Sequence, residues 1–128
     1  MFPNAAVKPE YVFEAKRLKK KIFTVSKYVG KEGLQCFVKG SYASQYSEAA
    51  MVGYDQSGDA NHWQKELKKN FDKNSRNDLC VKQALQKVQV ISSMPDIWVS
   101  QHERKDYELI TVYHIFLNCS ALSSQITN

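Results

Sequence analysis

The chain has 128 residues, enough for one modest domain around one core. Hydrophobic residues make up 43% and charged residues 24%, the balance of an ordinary globular protein, and no apolar run approaches the roughly 20 residues needed to span a bilayer. Eighteen Lys and Arg against 13 Asp and Glu leave a net charge of +5, a moderate excess that is weak support for a polyanionic partner unless its placement adds to it.

Met1-Phe2-Pro3-Asn4 lacks a basic segment followed by an apolar one, so no signal peptide is expected. Residues 11–18 read as a strand. Side chains alternate faces along a strand, so Glu14 and Lys16 project together and Phe13, Ala15 and Arg17 face the other way. Glu10 shares the face of Glu14 by the same period. A carboxylate beside an ammonium on one strand face can hold a divalent metal and position a water for attack on a phosphodiester. The same pair is also common as a plain solvated ion pair. What sharpens the pattern is the basic run Lys16, Arg17, Lys19, Lys20 and Lys21, the type of edge that a phosphate backbone needs. A second cluster, Lys65, Lys68, Lys69 and Lys73, reads as a solvated helix face.

Val29, Leu34, Phe37 and Val38 form an incomplete helical stripe over 26–39, weakened by Gly30 and Gly33 and stopped at Gly40. The apolar run 49–54 predicts a buried strand. Turn chemistry over 55–59 ends at Asp59, a helix cap. Ala60, Trp63, Leu67 and Phe71 then recur at helical spacing, which predicts a helix over 59–72. A polar break at 74–78 precedes a short helical segment at 79–85. Strands are expected at 88–94 and 97–100, and the strongest of all at 109–117, rich in Ile, Val, Thr, Tyr and Phe. The polar tail 120–128 is expected to fray. No repeat or linker divides the chain. The expectation is a single α/β domain over 1–128, with a mixed central sheet flanked by helices and strands 11–18, 49–54, 88–94 and 109–117 in one sheet. If the first two strands are parallel, their crossover should be right-handed.

Other chemistry is thinner. His62, His102 and His114 lack metal-ligand spacing, and His102 and His114 are hairpin neighbours at best. Cys36, Cys80 and Cys119 are odd in number and widely spaced, which favours thiols in a reducing cytoplasm over disulfides or a zinc site. The aromatics Tyr28, Tyr42, Tyr46 and Tyr54 read as core and rim packing rather than a stacking surface for bases.

Phe13-Glu14-Ala15-Lys16-Arg17-Leu18 resembles the catalytic strand of the PD-(D/E)xK nuclease superfamily, the restriction-endonuclease-like fold. Further segments resemble, in the same order, a bacterial branch of nuclease-like proteins often linked to phage defence. These are Phe37-Val38-Lys39-Gly40-Ser41-Tyr42, Ala50-Met51-Val52-Gly53-Tyr54, Ser100-Gln101-His102-Glu103-Arg104 and the strand from Ile110 to Leu117. The resemblance runs from about Tyr11 to Ser120. It implies a restriction-endonuclease-like core, with Glu14 and Lys16 as catalytic residues. Glu14 would be a ligand for Mg2+, and Lys16 would orient the attacking water or stabilise charge at phosphorus. It further implies that Arg17, Lys19 and Lys20 hold the phosphates of DNA, with His102 and Arg104 approaching from a neighbouring hairpin.

The superfamily also places an acid on the strand before Glu-x-Lys. Met1 to Glu10 contain no Asp, and only Glu10 offers a second carboxylate for metal. The chain therefore resembles the C-terminal part of such an enzyme. The leading expectation is a nuclease-like module that is catalytically weak or silent, uses no cofactor in that state, and binds nucleic acid or a protein partner. One alternative is an active Mg2+-dependent DNA endonuclease completed by Glu10 or by another chain. Another is a structural, self-associating protein. A two-fold homodimer closed by Met1 to Tyr11 or by an open sheet edge is expected, as are a cytoplasmic location and no membrane partner.

Overall fold

The computed structural model of the protein describes residues 12–40, 45–74, 79–89, 93 and 97–119. In chain order the elements are β1 (Phe13–Leu18), α1 (Val25–Val29), α2 (Leu34–Val38), β2 (Glu48–Asp55), α3 (Ala60–Asn74), β3 (Val81–Val88), β4 (Ile97–His102) and β5 (Ile110–Asn118). The five strands form one sheet in the order β1-β2-β5-β4-β3. β1, β2 and β5 run parallel to one another, and β4 and β3 are added antiparallel. The class is α/β with a mixed sheet. Among the described residues, no helix is long and apolar enough to cross a membrane.

Period-two patterning sets which face of the sheet is covered. Ala49, Met51, Gly53 and Asp55 are buried along β2, and Ile110, Val112, His114 and Phe116 along β5. The register places Glu14 beside Met51 and Met51 beside His114, so one face carries Glu14, Lys16, Leu18 and these buried residues. The helices cover that face. Trp63, Leu67 and Phe71 are 2%, 0% and 1% exposed and share one hydrophobic cluster with Leu18, Tyr28, Leu34, Phe37, Met51, Val112 and Phe116. The Asp59 carboxylate accepts from the His62 backbone N–H at 2.8 Å, which caps α3 as its sequence predicts.

Two expectations change. The stripe over 26–39 is two short helices rather than one. The chain turns between them because Gly33 lies against the main chain of α1: a Cβ there would meet the Tyr28 carbonyl oxygen at 2.0 Å. The segment 79–85, expected to be helical, instead enters β3. Its Gln, Ala, Leu and Lys residues favour helix locally, but Val81, Gln83 and Leu85 are half-buried and alternate with exposed Lys82, Ala84 and Gln86. Pairing with β4 overrides the propensity. Of the strand expected at 88–94, only Val88 belongs to β3, and residues 90–92 and 94–96 lie outside the described residues. So does the tail 120–128.

Candidate nucleic-acid interface

β1 is an edge strand among the described residues, since its sheet partner is β2 alone. Beyond Leu18 the chain makes a tight turn. Lys19 and Phe23 exchange backbone hydrogen bonds in both directions at 2.9 Å, and Lys21 takes a positive φ of 69° at the tip. The Lys20 backbone N–H donates to Ser57 Oγ at 2.8 Å, tying the turn to the loop after β2. Phe23 is thereby returned beside β1, where the Arg17 guanidinium lies over its ring at 4.4 Å and the Lys27 ammonium at 5.9 Å. A cation on an aromatic face is held by the ring quadrupole. This fixes the direction of Arg17 while leaving the residue exposed.

These residues border a cavity of about 740 Å3 between the β1 edge and the start of α1. Its charged lining is Lys16, Arg17, Lys27 and Lys31 against Glu32. Four cations to one carboxylate give this concave surface an excess of positive charge, and concave walls concentrate its field. Lys16 and Arg17, on opposite faces of the edge strand β1, both border this cavity. Lys19 and Lys20 are exposed on the adjoining turn.

Glu14 and Lys16 do sit on one strand face. Their charged atoms are 3.8 Å apart, and their side chains are 32% and 24% exposed. Cys36 of α2 stands close to both. Burial chiefly raises its thiol pKa, Glu14 raises it further and Lys16 opposes the rise. Glu10 lies outside the described residues. The β2 carboxylates are not near Glu14. Glu48 projects from the opposite sheet face, where it accepts from the Tyr113 hydroxyl at 3.0 Å. Asp55 pairs in register with Leu18, four residues along from Glu14, about 13 Å at strand rise. Among the described residues, no group of three or more His, Cys, Asp or Glu could hold a metal. Among the described residues Glu14, paired with Lys16, supplies one carboxylate here, whereas magnesium takes several oxygen ligands in near-octahedral array.

His102 and Arg104, expected beside the phosphates, are 0% and 7% exposed and turned inward. Arg104 is a clamp. Its guanidinium donates to the carbonyls of Glu108 at 2.6 Å, Tyr46 at 2.8 Å and Phe37 at 3.5 Å, and lies over Tyr107. It thus joins the β4–β5 connection to the end of α2 and to the chain entering β2. Burial lowers its pKa, with Glu108 and Tyr107 opposing.

His102 belongs to a buried chain that sequence reasoning missed. Tyr28 Oη lies 2.7 Å from His114 Nδ1, and His114 Nε2 lies 2.7 Å from Ser100 Oγ. Ser100 Oγ lies 2.8 Å from His102 Nε2, and His102 Nδ1 lies 2.7 Å from the Leu79 carbonyl oxygen. A carbonyl only accepts, so His102 Nδ1 carries the hydrogen. With the ring neutral, its Nε2 accepts the single hydroxyl hydrogen of Ser100. Ser100 must then accept from His114 Nε2–H, and His114 Nδ1 accepts from Tyr28. Every group is satisfied and donation runs one way. Burial keeps both rings neutral: it lowers the pKa of His102 to about 4, with the Leu79 hydrogen bond opposing, and that of His114 to about 3, with His102 adding to the fall. The Tyr28 pKa is raised well above its ordinary value by burial first and by Asp55 second. The available signal was the parity of polar residues on the inward face: Ser100 and His102 after Trp98, and His114 between Val112 and Phe116.

No protein-family model, no curated protein and no solved structure matches this chain. The case for function therefore rests on the site itself.

Proposed function

We propose that the protein is a nuclease-like module that binds nucleic acid through the basic cavity beside β1 and has little or no hydrolytic activity. The observation that carries this reading is the cavity lined by Lys16, Arg17, Lys27 and Lys31, with Arg17 held on Phe23. Arg17 supplies a planar donor for phosphate oxygens and the lysines supply point charges. The Glu-x-Lys strand and its resemblance to the restriction-endonuclease-like core argue for nuclease ancestry. Among the described residues Glu14 belongs to no group of three or more His, Cys, Asp or Glu, which argues for weak catalysis.

Fluorescence anisotropy with labelled DNA and RNA across a salt series is the direct test. Affinity should fall with salt, and Arg17→Ala with Lys27→Ala should flatten the salt slope by about two phosphate contacts. Binding that is insensitive to salt, or unaffected by both substitutions, removes the reading. An active Mg2+-dependent endonuclease completed by Glu10 or another chain is the competing reading. It predicts cleavage of plasmid DNA in magnesium that is lost in Glu14→Ala and in Lys16→Ala.

A further inference from the structure

The basic cavity has a neighbour. On the other side of the segment Phe23–Ser26 lies a second concavity of about 360 Å3, lined by Lys20, Lys21, Thr24, Val25, His62 and Glu66, with Trp63 at its base. The two share one ridge. Phe23, Ser26 and Lys27 face the first, and Thr24 and Val25 face the second. The Thr24 and Ser26 hydroxyls are hydrogen-bonded at 2.8 Å across it. The turn that leads into the ridge is fixed by the Lys19–Phe23 backbone bonds and by the Lys20 N–H on Ser57 Oγ. His62 is half-buried with its ring edge-on to Trp63 at 4.7 Å, while the Trp63 indole N–H is spent on the Ser57 carbonyl at 2.8 Å.

We infer that the ligand is a single-stranded polynucleotide that crosses this ridge, with its phosphates on the lysines of both sides and bases seated in both concavities. The inference rests on the nucleic-acid reading above and specifies its substrate class. Both volumes fall within or near the roughly 300–1,000 Å3 of pockets that enclose small organic groups. A duplex keeps its bases stacked inside and offers no base to such a pocket, whereas an unpaired strand does. Planar partners are placed in each concavity: the outer face of the Arg17 guanidinium in the first and the His62 imidazole in the second. A base can stack on either. A mononucleotide would fill one concavity and leave the cations of the other without a phosphate.

The test uses the full chain and labelled oligothymidylates at low salt, with His62→Ala and His62→Gln compared against the wild type. A tetramer should bind the wild type and both variants alike. A dodecamer should bind the wild type more tightly and lose roughly tenfold in each variant. An abasic dodecamer of equal charge, and a hairpin duplex of equal length, should both bind more weakly than the single strand. Oligouridylate in parallel separates RNA from DNA as the source of the strand. Equal binding of abasic and intact strands, equal binding of duplex, or a dodecamer indifferent to both His62 variants overturns the inference. In those cases Arg17-dependent binding still stands. Loss of all binding to every probe at low salt overturns both readings.

Discussion

Ser100 has one hydroxyl hydrogen, and the direction of donation along four side chains depends on where it goes. Replacing Ser100 with Ala leaves His102 Nε2 without its donor and His114 Nε2–H without its acceptor, both in a site closed to water. Each buried group left unsatisfied costs about 1–3 kcal/mol. Ser100→Ala is therefore expected to lower the unfolding free energy in urea by about 2–6 kcal/mol, and a loss under about 0.5 kcal/mol would contradict the chain as drawn.

The same two rings set an acid dependence. Both histidines have folded pKa values, about 4 and about 3, below the unfolded value of about 6.5. The unfolded chain thus binds more protons in that interval, and stability rises with pH there. Their contribution is complete above about pH 6.5 and is lost as pH falls towards the folded values. Between about pH 6 and 5, before most carboxylates titrate, each histidine should add up to about 1.4 kcal/mol per pH unit to the slope. Urea midpoints across that range should show it. A flat profile would mean that both rings are charged or reach water in the folded state, and half the slope would mean that one does.

At the scale of elements, two glycines separate backbone from side-chain constraint. A Cβ at Gly33 meets the Tyr28 carbonyl at 2.0 Å, and one at Gly53 meets the Leu18 side chain at 2.6 Å. Main chain yields less readily than a methyl group. Gly33→Ala should push α2 away from α1 and cost about 2–3 kcal/mol, while Gly53→Ala should cost about 1 kcal/mol as Leu18 shifts. Thermal denaturation of the pair gives the order, and the reverse order would place the tighter contact at the sheet. The two short helices also show why the sequence stripe over 26–39 reads as one element: apolar spacing survives the turn, and only the contact at Gly33 reveals the break.

For the whole molecule, the sheet order explains where chemistry can reside. Parallel β1, β2 and β5 put the ends of β1 and β2 beside the Lys19–Phe23 turn, so the basic run gathers at one rim while β4 and β5 bury Ser100, His102 and His114. The expected dimer interface at residues 1–11 lies outside the described residues, and among the described residues the sheet has its edges at β1 and β3. Hydrolysis is expected to be negligible. Plasmid DNA and RNA incubated with the protein in magnesium or manganese should remain intact. Cleavage abolished by Glu14→Ala would establish an enzyme and require a second carboxylate from Glu10 or from another chain.

Much of this was legible in the sequence. Strand β1, strand β5, helix α3 and the shared face of Glu14 and Lys16 follow from periodicity, because alternation and 3.6-residue spacing are local properties of a chain. The basic run after Glu14 is likewise visible as composition. What only the tertiary structure decided is which neighbours these residues meet. Pairing with β4 made a strand of residues whose propensity is helical. Inward parity on two antiparallel strands joined Ser100, His102 and His114 into one chain and withdrew His102 from any surface role, and the Glu108 carbonyl nearby with the Phe37 and Tyr46 carbonyls from distant segments did the same to Arg104. Lys27 and Lys31 joined the cavity through the return of Phe23, a contact across the turn that no spacing rule encodes. Local patterning tells which face a side chain occupies, but long-range packing decides what that face touches.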